Sequence, residues 1–556
     1  MVDHWSTLIN KVMHNKVFSV ILFLFLPVFA FSQGHTTAST NLPRLVIGLV
    51  IEDFNPDYID RYWDKFGEGG FQRLYRSGYV CTNHHYDHLI QRPSVNMATL
   101  STGTNPSRHG IVNDSWIDRL KNKEVNAIRD EFYTTVGSDS DEGDRSAMKL
   151  MTPTLGDQLK IVTNGRSKVF SIAMNDNSAV LAAGHAADGA YWLDNLSGKM
   201  ISSSYYVETF PKWAFDFNGF KMADIYIGAD WSLLKDINYY SESIDLPKEN
   251  GYPGRQRSFP YDLGKLKKEA GGSYKILKST PWGNTLVKDF ALQMIPKEQL
   301  GADLSPDMLT LVFSSMDYYR YSFGSFSVEM EDTYLRLDRD IAEVLKYLET
   351  GFGTNEILIY LTGLNSVSYS ANLLKEKYRM TAGIFNPESA IALLKSYLNI
   401  KYGEANWIEL FANQMIYLDH ELIDKKKVNL QEIQNSVASF LNQFEGISSA
   451  KSAMEIDANN FVTSEAAPFQ NSFHVKRSGD VLIKYEDGWQ PKDKYNPLDY
   501  TDNNQVPLVW YGAGIKKGTL TRRTNATDVV PTIAAFLGIT PPSSVSGKVI
   551  DEVIKH

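Results

Sequence analysis

An α/β fold, with a mostly parallel central sheet, helices on both faces and a cap insertion, is what this amino-acid sequence predicts. Three observations carry the prediction. Short unbroken apolar runs recur along the chain, as in LVIGLVI at Leu45–Ile51, the signature of strands buried on both faces. Helical stretches alternate with these runs, as a sheet covered on both sides requires. No repeat, low-complexity tract or Pro/Ser-rich linker divides the chain. The 556 residues are 43% hydrophobic and 22% charged, a globular composition that excludes collagen-like, largely disordered and coiled-coil architectures. A core of this size needs no disulfide or metal staple.

The elements follow in order. The first strand, Leu45–Ile51, ends in Glu52-Asp53, and Pro56 then opens a helical stretch over 56–66. A short helix at 71–76 stops at Gly78, 79–88 reads as the next strand, and 96–101 as part of a helix. Segments 168–173, 308–313, 357–361 and 506–511 repeat the buried-strand signature. The helix at 327–350 is the clearest, with Val328, Tyr334, Leu335, Ile341, Val344, Leu345 and Leu348 on one stripe and acids concentrated early. Another runs over 528–537, closed by Gly538. Two regions break this rhythm: a Tyr/Trp-rich cap at 203–300, and 366–475, with helices at 389–398 and 430–444. Both read as insertions at the loop edge of one domain covering 33–556.

Residues 1–32 read as a secretory signal peptide. Lys11 and Lys16 precede the apolar stretch 17–31, and Ala30-Phe31-Ser32 gives a small-x-small pattern before Gln33. The stretch is short for a membrane span of about 30 Å and contains Pro27, so no stable span is expected after cleavage. Met13 is an alternative start. The expected location is the periplasm or the exterior. Cys81 is the only cysteine, so an exported chain has no internal disulfide, and its place in an apolar-polar run suits a small buried side chain. Net charge is −9 with no long Lys/Arg run, which argues against a nucleic-acid partner.

In open α/β sheets ligands sit beyond the carboxyl ends of the strands. The residues to read are therefore Glu52-Asp53, the turn at 92–96, Asn175-Asp176-Asn177, 317–321, 363–366 and 503–505. The frame LVIGLVIEDFNPDYIDRY, LSTGTNPSRHGI, FSSMDYYRYSFG with EDTYLRLDRDI, QVPLVWYGAGI and ATDVVPTIAAFLGI resembles the alkaline phosphatase superfamily over residues 45–549. Within it, the chain is similar to the secreted bacterial phosphate-monoesterase branch with a Thr nucleophile, related to nucleotide pyrophosphatases/phosphodiesterases.

The resemblance implies two Zn²⁺ ions about 4 Å apart, held by His and carboxylate ligands. Carried over position by position, it puts the first-strand Asp on Glu52, the nucleophilic Thr on Pro93, Asp-x-x-x-His on Asp317 and Tyr321, an Asp-His pair on Leu364 and Asn365, and a late His on Gln505. The phosphate-gripping Lys-Asp-Arg loop becomes Asn175-Asp176-Asn177. Leu cannot coordinate zinc and Pro has no nucleophilic side chain; amides are poor ligands, and Tyr must lose a proton with a free pKa near ~10. These replacements imply a pseudoenzyme without a zinc cofactor, binding or scaffolding an envelope protein or a polar small ligand. A neutral amide lining of Asn175, Asn177, Asn365 and Gln505 suits a sugar better than phosphate. The alternative is an active phosphomonoesterase or phosphodiesterase with a rearranged metal site, zinc or a single Ca²⁺/Mg²⁺ at Glu52, Asp53 and Asp317. Those acids can equally pair with Arg92 or Arg320.

Other candidates have two readings each. Ser94 is a substitute nucleophile or, as favoured here, a helix N-cap. His84, His85 and His88 are metal ligands or strand residues whose alternation sends His85 to the opposite face. His109, in the TG-x-x-P-x-x-HGI element, is expected to be structural. Asn525-Ala526-Thr527 matches a glycosylation pattern, relevant only in a host that uses it.

Overall fold

The computed structural model describes residues 42–121, 123–243, 251–252, 257–316, 323–324, 326–376, 378–461, 465–492 and 500–554. The expected signal peptide, Asp317, Arg320 and Tyr321 lie outside the described residues. All described residues belong to one compact unit beginning at Leu42.

Eleven strands form the central sheet. They are β1 (Leu45–Ile51), β2 (Tyr79–His85), β3 (Thr135–Val136), β4 (Val169–Ala173), β5 (Gly189–Leu193), β6 (Met200–Ser203), β7 (Asp307–Phe313), β8 (Ile357–Gly363), β9 (Gln505–Gly512), β10 (Gly518–Leu520) and β11 (Thr524–Asn525). Their order is β10-β2-β9-β8-β1-β7-β4-β5-β6-β3, with β11 also beside β2. Neighbours from β8 through β1, β7 and β4 to β5 are parallel, while β9 runs antiparallel between β8 and β2. The start of β9 therefore shares an edge with the ends of β1, β2 and β8. That edge carries the candidate site.

Alternation along β1 explains its unbroken apolar run. Leu45, Ile47, Leu49 and Ile51 enter one core and Val46 and Val50 the other, so polar residues have no place on either face. Each such side chain contributes about 1.5–3 kcal/mol on burial. The helices that flank the sheet include α1 (Pro93–Thr102), α2 (Asp176–Ala183), α3 (Pro281–Lys297), α4 (Val328–Gly351) and α5 (Val529–Phe536). α3 and α4 fill the first core with Phe290, Met330, Tyr334 and Ile341, and α1, α2 and α5 the second with Val95, Val180 and Ile533.

Three boundaries differ from the sequence expectation. β2 ends at His85; Tyr86 still donates its N–H to Asn504 O at 2.9 Å, after which the chain turns so that His88 meets α1. α1 starts at Pro93, because proline occupies the first helical position and Arg92 becomes the N-cap. Ser94 is thus inside the helix, and the expected N-cap role is corrected. The unit built from 366–475 continues further: Val481–Tyr485 pairs with Met415–Leu418 and Ile447–Ser452 in a separate four-stranded sheet with its own core. The cap at 203–300, by contrast, places Phe217, Trp231, Tyr240 and Tyr261 in the same core as α4.

The TG-x-x-P-x-x-HGI element is a pair of helix ends. Gly103, at φ 68°, closes α1 in the left-handed conformation, and a Cβ there would stand 2.7 Å from Val530 Cβ. Cys81 is buried in β2, where desolvation pushes its thiol up to about 12. Among the described residues, no helix is long and apolar enough to cross a membrane.

Candidate functional site

The carboxyl edge of the sheet brings together the ends of β1 and β8, the amino ends of α1 and α2, and a turn from the second insertion. Glu52, just past β1, is fully buried. Its carboxylate accepts from Ser178 Oγ at 2.6 Å and from Asn175 Nδ2 at 3.3 Å, the third residue and the N-cap of α2. A helix amino terminus stabilises an anion, and here the anion belongs to the chain itself. Asp176 instead accepts from Arg145 Nε at 2.6 Å.

Leu364 and Asn365 extend the pairing of β8 with β1. Leu364 N–H donates to Ile51 O at 3.0 Å, and its side chain lies in the second core. Asn96 Nδ2, from α1, donates to Leu364 O. Asn365 Oδ1 accepts the N–H of Asp53 at 3.1 Å, and Asn365 O accepts that of Phe54 at 2.8 Å. The amide thereby holds Asp53 in a left-handed conformation, φ 57°, that non-glycine residues rarely adopt. Asn365 is only 2% exposed. Gln505 opens β9 opposite His85, and its Nε2 donates to Thr82 O at 3.1 Å.

Pro93 is the first residue of α1. Ser94 beside it is buried, and its hydroxyl donates to Asp114 Oδ1 at 2.6 Å. Arg92 donates from Nη2 to Asn413 Oδ1 at 2.6 Å, and Asn413 Nδ2 donates to Asn113 Oδ1 at 2.7 Å. Asn413 comes from the tight turn between Ile408–Ala412 and Met415–Leu418, which brings the second insertion to this edge.

The histidines do not converge. His84 Nδ1 lies 2.9 Å from Thr524 Oγ1, and His85 Nε2 lies 2.6 Å from Asn83 Oδ1. His88 and His109 share Thr99, whose Oγ1 is 3.3 Å and 3.0 Å from their Nε2 atoms. Because Ile111 N–H donates to His109 Nδ1, the His109 proton sits on Nε2. Burial pulls the His84 and His88 imidazoles down to about 3, and His109 well below its ordinary value. All three are neutral.

Among the described residues, no group of three or more His, Cys, Asp or Glu could hold a metal ion. At the positions the superfamily uses, Leu364 has no side-chain donor, and the Asn365 and Gln505 amides are weak zinc ligands already hydrogen-bonded within the protein. The described residues there do not fit a pair of zinc ions.

Sequence reasoning missed Asn113, Asp114, Arg145, Ser178 and Asn413. Ser178 alone had a local signal, its place in the first turn after the Asn175 cap.

Sheet order and helical layers on both faces are those of an alkaline phosphatase-superfamily protein. The chain belongs to the type I phosphodiesterase / nucleotide pyrophosphatase family, which residues 46–506 match. It is 34% identical over 529 residues to a calcium-transporting ATPase of Myroides odoratus, covering 92% of this chain and 95% of that protein. It is 33% identical over 518 residues to alkaline phosphatase PafA of Elizabethkingia meningoseptica, covering 92% and 94%. The crystal structure of wild-type PafA superposes with a TM-score of 0.87, at 33% identity, over 92% of this chain and 99% of that one.

Proposed function

We propose that this protein is an exported pseudo-phosphatase: a phosphatase-superfamily scaffold that has lost two-metal ester hydrolysis and binds a polar ligand or an envelope protein at the former active-site edge. One observation carries the reading. The residues at the superfamily's catalytic positions have taken structural duties, with Pro93 starting α1, Leu364 in the core, Asn365 fixing the Asp53 turn and Asn175 turned onto Glu52. Without a hydroxyl at Pro93, that position offers no nucleophile. Asn175 and Asn177 carry no cation to neutralise a transferring phosphoryl group at the positions of the phosphate-gripping loop. The N-terminal signal pattern and the net charge of −9 accord with a periplasmic or secreted protein that does not bind nucleic acid. Hydrolysis of p-nitrophenyl phosphate by purified protein tests the reading. No turnover above a heat-treated control is expected, and chelator-sensitive turnover would overturn it.

A second reading, an active hydrolase with a rearranged site, is favoured by the 2.6 Å bond from Ser94 Oγ to Asp114. A hydroxyl hydrogen-bonded to a carboxylate is how a base engages a nucleophile. Relatives named alkaline phosphatases support it too. In that reading Ser94→Ala abolishes turnover.

A further inference from the structure

His185 stands two residues beyond Ala183, the last residue of α2. Its ring is held between two acceptors. Nδ1 lies 3.0 Å from Asp157 Oδ2, and Nε2 lies 3.0 Å from Leu150 O. The Asp157 carboxylate also accepts the N–H groups of Thr154 at 2.8 Å, His185 at 2.8 Å and Ala186 at 2.7 Å, so it is ionised. A carboxylate and a carbonyl only accept. Both ring nitrogens must therefore donate, which makes the ring an imidazolium. Among the described residues, no other donor reaches Leu150 O.

Leu150 belongs to a strap, residues 145–153, laid along α2. At the amino end of the helix Arg145 Nε donates to Asp176 Oδ2 at 2.6 Å, and at the carboxyl end His185 holds Leu150. Leu150, Met151 and Pro153 of the strap form one wall of a groove of about 490 Å³, which Lys160, Ile161 and His185 also line. The groove lies at the end of α2 opposite Glu52, ~12 Å away for an eight-residue helix. The other charged groups here are occupied or fixed. Lys160 Nζ donates to Asp188 Oδ1 at 2.7 Å, and Lys149 donates to Arg129 O. Tyr205 and Tyr206 face Asp157, and burial keeps both phenols protonated. Hydrogen bonding to Asp157 holds the His185 pKa above the ordinary 6.5, against the pull of burial.

We propose that His185 is a pH-operated latch: as an imidazolium it ties Leu150 and the strap to the end of α2, and as a neutral ring it releases them, so that the groove opens as pH rises. A neutral ring has one N–H for two acceptors. The charged acceptor makes the stronger bond, so the proton stays on Nδ1 facing Asp157. The Nε2 lone pair then faces the Leu150 carbonyl oxygen, and that contact becomes repulsive. The contact is present below the folded pKa of His185 and lost above it.

Amide hydrogen exchange of the full chain between pH 5.5 and 9, corrected for the intrinsic pH dependence of exchange, tests the latch. The slow Cε1 hydrogen exchange of the His185 ring gives its own midpoint on the same samples. Protection of residues 147–152 should fall about tenfold or more across that midpoint, the effect of one charge-assisted hydrogen bond, while α2 stays protected. In His185→Ala the strap should exchange fast at every pH. In Asp157→Asn the loss should move to lower pH. Strap protection that does not change with pH in the unaltered protein overturns the latch, as does a midpoint that departs from that of the His185 ring. The same fall in His185→Ala also overturns it.

Discussion

Asn96 Nδ2 donates to the backbone oxygen of Leu364, at the position where the superfamily frame puts a metal-binding carboxylate. The contact joins α1 to the end of β8 and is buried on both sides. The position to which the resemblance assigns a ligand thus contributes a carbonyl to the protein's own hydrogen bonding. Removing the donor with Asn96→Ala leaves that carbonyl unsatisfied, at a cost of about 1–3 kcal/mol. Urea unfolding measures this loss, and an unchanged midpoint would show that the bond does not hold the edge together.

Ser94 and Asp114 make a similar case with the opposite bearing on chemistry. If the pair is structural, Ser94→Ala lowers stability by about 1–2 kcal/mol, a hydrogen bond to a carboxylate at a half-buried site. Ligand affinity stays as it was, and there is no ester hydrolysis to lose. Unfolding and a hydrolysis assay on the same preparation separate this from the nucleophile reading.

The cap is anchored through Asp332 of α4. Its fully buried carboxylate accepts from Trp231 Nε1 at 2.8 Å, Leu234 N at 2.8 Å, Tyr240 Oη at 2.6 Å and Arg336 Nε at 2.6 Å. Asp332→Ala strips four donors at once and is expected to cost about 3–5 kcal/mol. Hydrogen exchange at residues 231–240 should rise well before the sheet loosens, and uniform exchange across both would contradict the anchoring.

Buried neutral histidines set an acid limit. His84, His88 and His109 have folded pKa values below the ordinary 6.5, so the unfolded chain binds more protons than the folded one as pH falls. Their contribution is fully present above pH 6.5 and is lost between pH 6.5 and about 3 for His84 and His88. Each removes about 1.4 kcal/mol per pH unit in that window. Urea midpoints taken between pH 7.5 and 5 should fall, and the slope should shrink in His84→Gln.

The central strands were legible because β1, β4, β7 and β8 are buried on both faces, which leaves no polar position to break the apolar run. The start of α1 was misread by one local rule overriding another: Pro93 at the first helical position moved the N-cap to Arg92 and put Ser94 inside the helix. Asn113 and Asn413 were illegible for a different reason. Asn413 lies 300 residues from Asn113, and no periodicity encodes such a contact.

Zinc content of the purified full chain, measured by elemental analysis after equilibration with excess zinc and desalting, tests the loss of the two-metal site most directly. The account predicts well under one zinc per chain. Two retained equivalents would mean that a two-metal site survives with donors outside the described residues, and would contradict its loss.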